Sequence, residues 1–106
     1  MTASKTRGPR YSEREVQGLV EAYSVLREYK GTWRGLLTLC RLADIDRALR
    51  QLPSNERIAV LLHGMIGIER EEAGVYLGVS GRTVSRYYAQ GLASMTRYLN
   101  GEEWNG

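Results

Sequence analysis

Apolar residues recur at intervals of three and four along most of the chain, and nowhere alternate over the length of a strand. Intervals of three and four place side chains on one face of a helix, whereas a half-buried strand needs a period of two. The spacing therefore predicts an all-α fold, a small helical bundle of about five helices with a helix-turn-helix at its C-terminal end. A chain of 106 residues is long enough to bury one hydrophobic core and too short for two.

Residues 1–10 (MTASKTRGPR) carry Lys5, Arg7 and Arg10 without an acid and are broken by Gly8 and Pro9, the composition of a flexible basic arm. Ser12 and Glu15 have capping-box spacing, and Val16, Leu19, Val20, Tyr23 and Leu26 follow on one face. They predict a first helix from Glu13 to Lys30, stopped by Gly31. Thr32 can cap a second helix with Trp33, Leu36, Leu37, Cys40 and Ala43 on its apolar face. Asp44 can start a shorter one carrying Ile45, Leu49 and Leu52 up to Pro53, and whether the two are a single kinked helix stays open. Ser54 can cap a segment with Ile58, Leu61, Leu62 and Met65 on one side, ending near Gly64 or Gly67. A short helix closed by Gly78 comes next, and then a long one capped by Ser80 with Val84, Tyr87, Tyr88, Leu92, Met95 and Leu99 as its stripe. The expected organisation is an arm (1–10), a helical segment for packing or oligomerisation (11–51), a helix-turn-helix domain (52–100) and a frayed, Gly-rich acidic tail (101–106).

Residues 70–89 (REEAGVYLGVSGRTVSRYYA) fit a helix-turn-helix position by position. Gly74 falls where two helices approach closely, and Gly78 falls at the turn, where the backbone needs a positive φ. Ala73, Leu77, Val79, Val84 and Tyr87 occupy the inward positions that clamp the pair. Ser80, Gly81, Arg82, Thr83, Ser85 and Arg86 then face outward, with two arginines, three hydroxyls and no carboxylate, a surface that a phosphate backbone accepts. Gln90, Arg70 and Arg57 complete the candidate set for contact with double-stranded DNA. A glycine turn also occurs in plain helical hairpins, but seven matching positions together with the acid-free face favour a DNA reader.

Charge supports this direction. The net charge is +3, and Lys5, Arg7 and Arg10 account for it, while residues 80–99 add Arg82, Arg86 and Arg97 with no acid. Thirteen of the fifteen basic residues are arginine, the group suited to bidentate contact with phosphate and guanine, although a GC-rich genome gives the same bias. Catalytic chemistry finds little support. His63 is the only histidine and has no other metal-type partners in its neighbourhood, which favours a structural or surface role. Cys40, the only cysteine, lies on an apolar stripe where a buried small hydrophobe is expected, and no base accompanies it. Glu69, Glu71 and Glu72 crowd a helix start that favours acids, so a solvated face explains them better than a catalytic pair. Tyr87, Tyr88 and Tyr98 have the spacing of core or rim positions rather than of a base-stacking platform. We expect no enzyme activity, no cofactor, no metal and no membrane span. A polar N-terminus without an apolar core segment points to the cytoplasm.

From Leu52 to Leu99 the sequence resembles region 4 of bacterial sigma factors of the sigma-70 class and the regulators related to it. LPSNER at Leu52–Arg57 is similar to their Leu-Pro-x-x-Glu-Arg opening, and EEAGVYLGVSGRTVSRY is similar to their Glu-Ile-Ala-x-x-Leu-Gly-x-Ser-x-x-Thr-Val pattern without a gap. Ala73 stands where the family usually has Ile, Gly74 where it has Ala, and Glu69 where Ser or Thr often caps. The resemblance implies a DNA-binding helix-turn-helix, with RNA polymerase as a second partner. Residues 1–51 are too few for the sigma domain that melts promoters, so a stand-alone transcription regulator, phage-encoded or from a mobile element, is the expected type. Two alternatives stay open: a polymerase-binding adaptor, and the DNA-recognising small subunit of a phage packaging terminase, with residues 13–51 forming a homo-oligomer interface.

Overall fold

The computed structural model describes residues 11–26 and 33–101, with side chains for all of these except 33–39. Their secondary structure is entirely helical: α1 (Glu13–Glu21), α2 (Tyr23–Leu26), α3 (Trp33–Arg50), α4 (Ser54–Ala59, continuing as a π-helical stretch over Val60–Ile66), α5 (Arg70–Leu77) and α6 (Gly81–Leu99). The expected arm at 1–10, the stop at Gly31, the cap at Thr32 and most of the tail lie outside the described residues, as do the side chains of Trp33, Leu36 and Leu37.

The capping box forms as its spacing predicts. Ser12 Oγ accepts from the Glu15 N–H at 3.1 Å, and Glu15 Oε1 accepts from the Ser12 N–H at 2.9 Å. The helix does not run on through Tyr23, however. It breaks at Ala22 (φ −101°, ψ 9°), and α2 is a separate turn. Gly18 weakens the helix interior, and no basic residue sits in the last turn of α1 to offset the carbonyl end of the dipole. Past the break, the Tyr23 hydroxyl donates to Asp46 of α3 at 3.1 Å.

α3 is one helix that passes through Asp44 without interruption. Among its described side chains Leu42, Ile45, Ala48 and Leu49 are buried, with Leu52 just beyond, whereas Cys40 and Ala43, expected on the apolar face, are exposed. Cys40 lies about 200° around the helix from Leu42 and so points away from the core. After Pro53, two further expectations change. Pro53 itself, rather than Ser54, is the cap residue of α4, and its carbonyl accepts from the Arg57 N–H at 2.9 Å. Ile58, expected on the buried side, is 37% exposed, while Ala59 and Val60 are fully buried. The wider π turn starting at Val60 rotates the following side chains away from the 3.6-residue spacing. As a result the segment packs against two clusters at once, with Leu61 and Met65 on one and Leu62 on the other.

The larger cluster joins Val16 and Val20 of α1, Ile45, Ala48 and Leu49 of α3, Leu52, Val60, and Tyr88, Leu92 and Met95 of α6. Each such aliphatic side chain contributes about 1.5–3 kcal/mol on full burial. Polar bonds tie the ends of the described fold together. The Tyr11 N–H donates to Asn100 Oδ1 at 2.7 Å, Asn100 Nδ2 donates to the Tyr11 carbonyl at 2.9 Å, and the Tyr11 hydroxyl donates to Asp44 at 2.9 Å. At the edge of the core the Tyr88 hydroxyl donates to Glu21 at 3.0 Å, and burial raises the pKa of that hydroxyl. His63 meets the Tyr88 ring edge-on at 5.0 Å and places Nδ1 2.8 Å from the Ile68 carbonyl, the structural role its isolation suggested. No described helix is long and apolar enough to cross a membrane.

Candidate nucleic-acid interface

α5, the turn at 78–80 and α6 form the helix-turn-helix. Gly78 ends α5 with φ 74° and ψ 30°, and its N–H bonds back to the Gly74 carbonyl, which also accepts from Val79 at 2.9 Å. The left-handed conformation is one a residue without Cβ adopts at no steric cost. Gly74 is fixed for a different reason: a Cβ there would stand 2.4 Å from the Val79 carbonyl oxygen. The close approach is thus between α5 and the turn backbone, more than between the two helix axes. Behind the hairpin lies the second cluster, with Ala59, Ala73 and Val84 fully buried and Leu62, Ile68, Leu77, Val79 and Tyr87 packed around them. Every inward position assigned from the sequence falls in it.

α6 begins at Ser80, whose Oγ accepts from the Thr83 N–H at 3.2 Å and also lies 3.1 Å from Thr83 Oγ1. Arg82, Arg86 and Gln90 are exposed and follow one another at intervals of four, so they form a single line along the outer face of the helix. The Arg86 guanidinium lies 5.9 Å from the centre of the Tyr87 ring, and Arg82 has no partner among the described residues. Thr83 and Ser85, expected to face outward, are half-buried. Ser85 Oγ accepts from Arg70 Nη1 at 3.1 Å, and Arg70 Nε also donates to Glu71 at 3.1 Å. Gly81 is half-buried against the side chains of Arg70 and Glu71. Arg82, Arg86 and Gln90 thus line the outer surface of α6, while Arg70, Gly81 and Ser85 meet on one flank of its first turns and Ser80 and Thr83 pair at its cap. Arg57 sits apart on α4, half-buried, with no contact to that surface among the described residues.

Sequence reasoning missed the part played by Glu71, although a glycine directly after a helix cap is a sign that something lies close against the backbone there. It also missed Asn55, whose Nδ2 reaches the Tyr87 hydroxyl at 3.5 Å. Nearby, Glu56 Oε1 is buried without a hydrogen-bond partner, and burial pushes that carboxyl above its ordinary pKa while Arg97 opposes the shift. Among the described residues no three His, Cys, Asp or Glu side chains are placed to hold a metal ion.

Residues 42–95 match the family described as sigma-70, region 4, over just over half of the chain. The match begins at Leu42, so it takes in the second half of α3 that packs on α6, in addition to the hairpin and α4. No curated protein and no solved structure gives a match. With its all-helical fold, its hairpin geometry and this match, the chain belongs to the sigma-70 region 4 family of DNA-binding helix-turn-helix domains.

Proposed function

We propose that this chain is a sequence-specific binder of double-stranded DNA, acting as a transcription regulator, with α6 lying in the major groove. The observation that carries the reading is the line Arg82, Arg86 and Gln90 on the outer face of α6, in a helix that has no carboxylate from Ser80 to Leu99. Arginine pairs bidentately with guanine and glutamine with adenine, and hydroxyls and backbone N–H groups at the helix start suit phosphate. Residues 11–51 act as a buttress for the reading unit at 52–100, since their buried side chains share the core of α6. The apolar face of α1 is occupied within the chain, which favours a packing role for this segment over a ring or dimer interface. A cytoplasmic setting, in a bacterial cell or a phage-infected host, accompanies this reading.

The test is selection of bound duplexes from a random pool, followed by affinity measurements on the selected sequence. Arg82→Ala and Arg86→Ala should each weaken specific binding by about 1–3 kcal/mol while circular dichroism stays helical. Unchanged affinity in both variants would remove α6 as the reader.

A second reading, docking on RNA polymerase, is favoured by one observation. Val75 and Tyr76 on α5 are 81% and 69% exposed, large apolar side chains on the hairpin that are left uncovered by the described residues. Tyr76→Ser combined with Val75→Ser should reduce co-purification with polymerase and leave duplex affinity intact.

A further inference from the structure

Arg70 is the one candidate DNA-contacting arginine that is held from two sides. It opens α5, its Nε donates to Glu71 Oε2 at 3.1 Å, and its Nη1 donates to Ser85 Oγ of α6 at 3.1 Å. The pair lies over the start of the reading helix. A Cβ added at Gly81 would meet Glu71 Oε2 at 3.0 Å and Arg70 Cγ at 3.2 Å, so these two side chains fill the space that a side chain at 81 would need. Two of the five guanidinium N–H groups are used in this way, and three remain for a ligand.

We propose that Glu71 is a positioning residue for DNA binding, holding the Arg70 guanidinium across the junction of α5 and α6 so that its free N–H groups take a backbone phosphate beside the first turn of α6. The inference rests on the DNA-binding reading above and adds to it a role for an acid on a surface that binds a polyanion. Both side chains are largely exposed, 51% and 68%, so solvent screens the ion pair and it contributes little to folding. Its effect is on order. An arginine loses rotamer freedom when fixed, and Arg70 has given up part of that before DNA arrives, whereas the unpartnered Arg82 has not.

The sign of one substitution separates this role from the alternatives. A carboxylate near phosphate repels it, so removing an acid that does nothing else should strengthen binding. Glu72, exposed on the same helix, serves as that control. On a duplex recovered by selection, Glu72→Ala should tighten binding and Glu71→Ala should weaken it about fivefold, the worth of roughly 1 kcal/mol of lost order. Glu71→Gln keeps the acceptor and should recover most of the affinity. Arg70→Ala should lower the slope of log affinity against log salt by about 0.9, and in that background Glu71→Ala should no longer weaken binding.

Tightening by Glu71→Ala overturns the proposal, because the acid then only repels. Weakening that persists undiminished on Arg70→Ala overturns it too, since Glu71 would be supporting the start of α6 directly. Failure of the parent reading looks different: Arg82→Ala and Arg86→Ala would leave affinity unchanged, or the unmutated chain would bind no duplex.

Discussion

Replacing Gly74 by Ala should destabilise the domain, although alanine is the better helix former by about 1 kcal/mol. The added Cβ would stand 2.4 Å from the Val79 carbonyl oxygen and 3.3 Å from the Ser80 carbonyl carbon, and both are backbone atoms. Relief requires a shift of about 1 Å in the turn, because close-packed interiors leave no slack for an extra methyl. That turn is pinned by the left-handed Gly78 and by the Val79 N–H bond to the Gly74 carbonyl at 2.9 Å. A clash with backbone atoms, which cannot swing aside, belongs at the upper end of the overpacking range, about 2–3 kcal/mol, which leaves a net loss on the order of 1–2 kcal/mol after the propensity gain. At about 4–8 °C per kcal/mol for a domain of this size, Tm should fall by roughly 4–15 °C. Gly18→Ala is the matched control: Gly18 lies inside α1 with nothing within 4 Å of its added Cβ, so Tm should rise by a few degrees through propensity alone. The assay is thermal unfolding followed by circular dichroism for both variants and the parent. A Gly74→Ala variant that melts at or above the parent would refute the reasoning, because the close approach at the turn would then impose no constraint.

Gly78→Val should lower Tm as well, by forcing a β-branched residue to φ 74°, where a Cβ costs at least about 1–2 kcal/mol; an unaltered melting curve would displace the turn from Gly78. At high pH the Tyr11 hydroxyl provides a signal, since burial, followed by its bond to Asp44, pushes its pKa up to about 12. The neutral form is favoured in the folded state, so its contribution is complete below pH 10 and is lost as pH rises toward 12; Tyr11→Phe should lose less Tm across that window than the parent. Deleting residues 1–10 should weaken specific and non-specific duplex binding alike and flatten the salt slope by up to about 2.7, one increment each for Lys5, Arg7 and Arg10. An identical slope in the truncated chain would leave the arm a purely solvating role.

Much of the C-terminal half was legible in the sequence because its signals are local. Gly78 closing α5, Ser80 capping α6 and the stripe Val84, Tyr88, Leu92 and Met95 each follow from chemistry within a turn or two of the residue concerned. The departures come where tertiary packing decides. Cys40 and Ala43 looked like an extension of one apolar stripe, but the face of α3 that packs on α1 and α6 runs through Leu42, Ile45 and Leu49 instead. Ile58 belonged to a sound helical pattern until the π stretch at Val60–Ile66 changed the period. A π turn costs hydrogen-bond geometry and is stabilised only by what it packs against, so a single sequence carries little trace of it. The break at Ala22 is of the same kind, with only Gly18 and the missing C-terminal cation to suggest it.

The site was legible to the extent that its residues follow the phase of α6. That helix has two tasks, and the 3.6-residue period separates them: Val84, Tyr88, Leu92 and Met95 join it to the core, while Arg82, Arg86 and Gln90 face away. Any one of these assignments therefore fixes the others, which is why the outer line could be read without coordinates. Relations between helices had no such guide. The bond from Arg70 to Ser85 spans fifteen positions of chain, and the seat of Glu71 against Gly81 depends on how the hairpin closes. The sequence reads Arg70 as one more candidate DNA contact and Glu71 as a dipole-favoured acid. Closure of the hairpin on Gly74 and Gly78 turns them into a linked pair at the start of α6. A change that opens the turn should therefore reach DNA binding through Arg70 even where Arg82 and Arg86 are untouched.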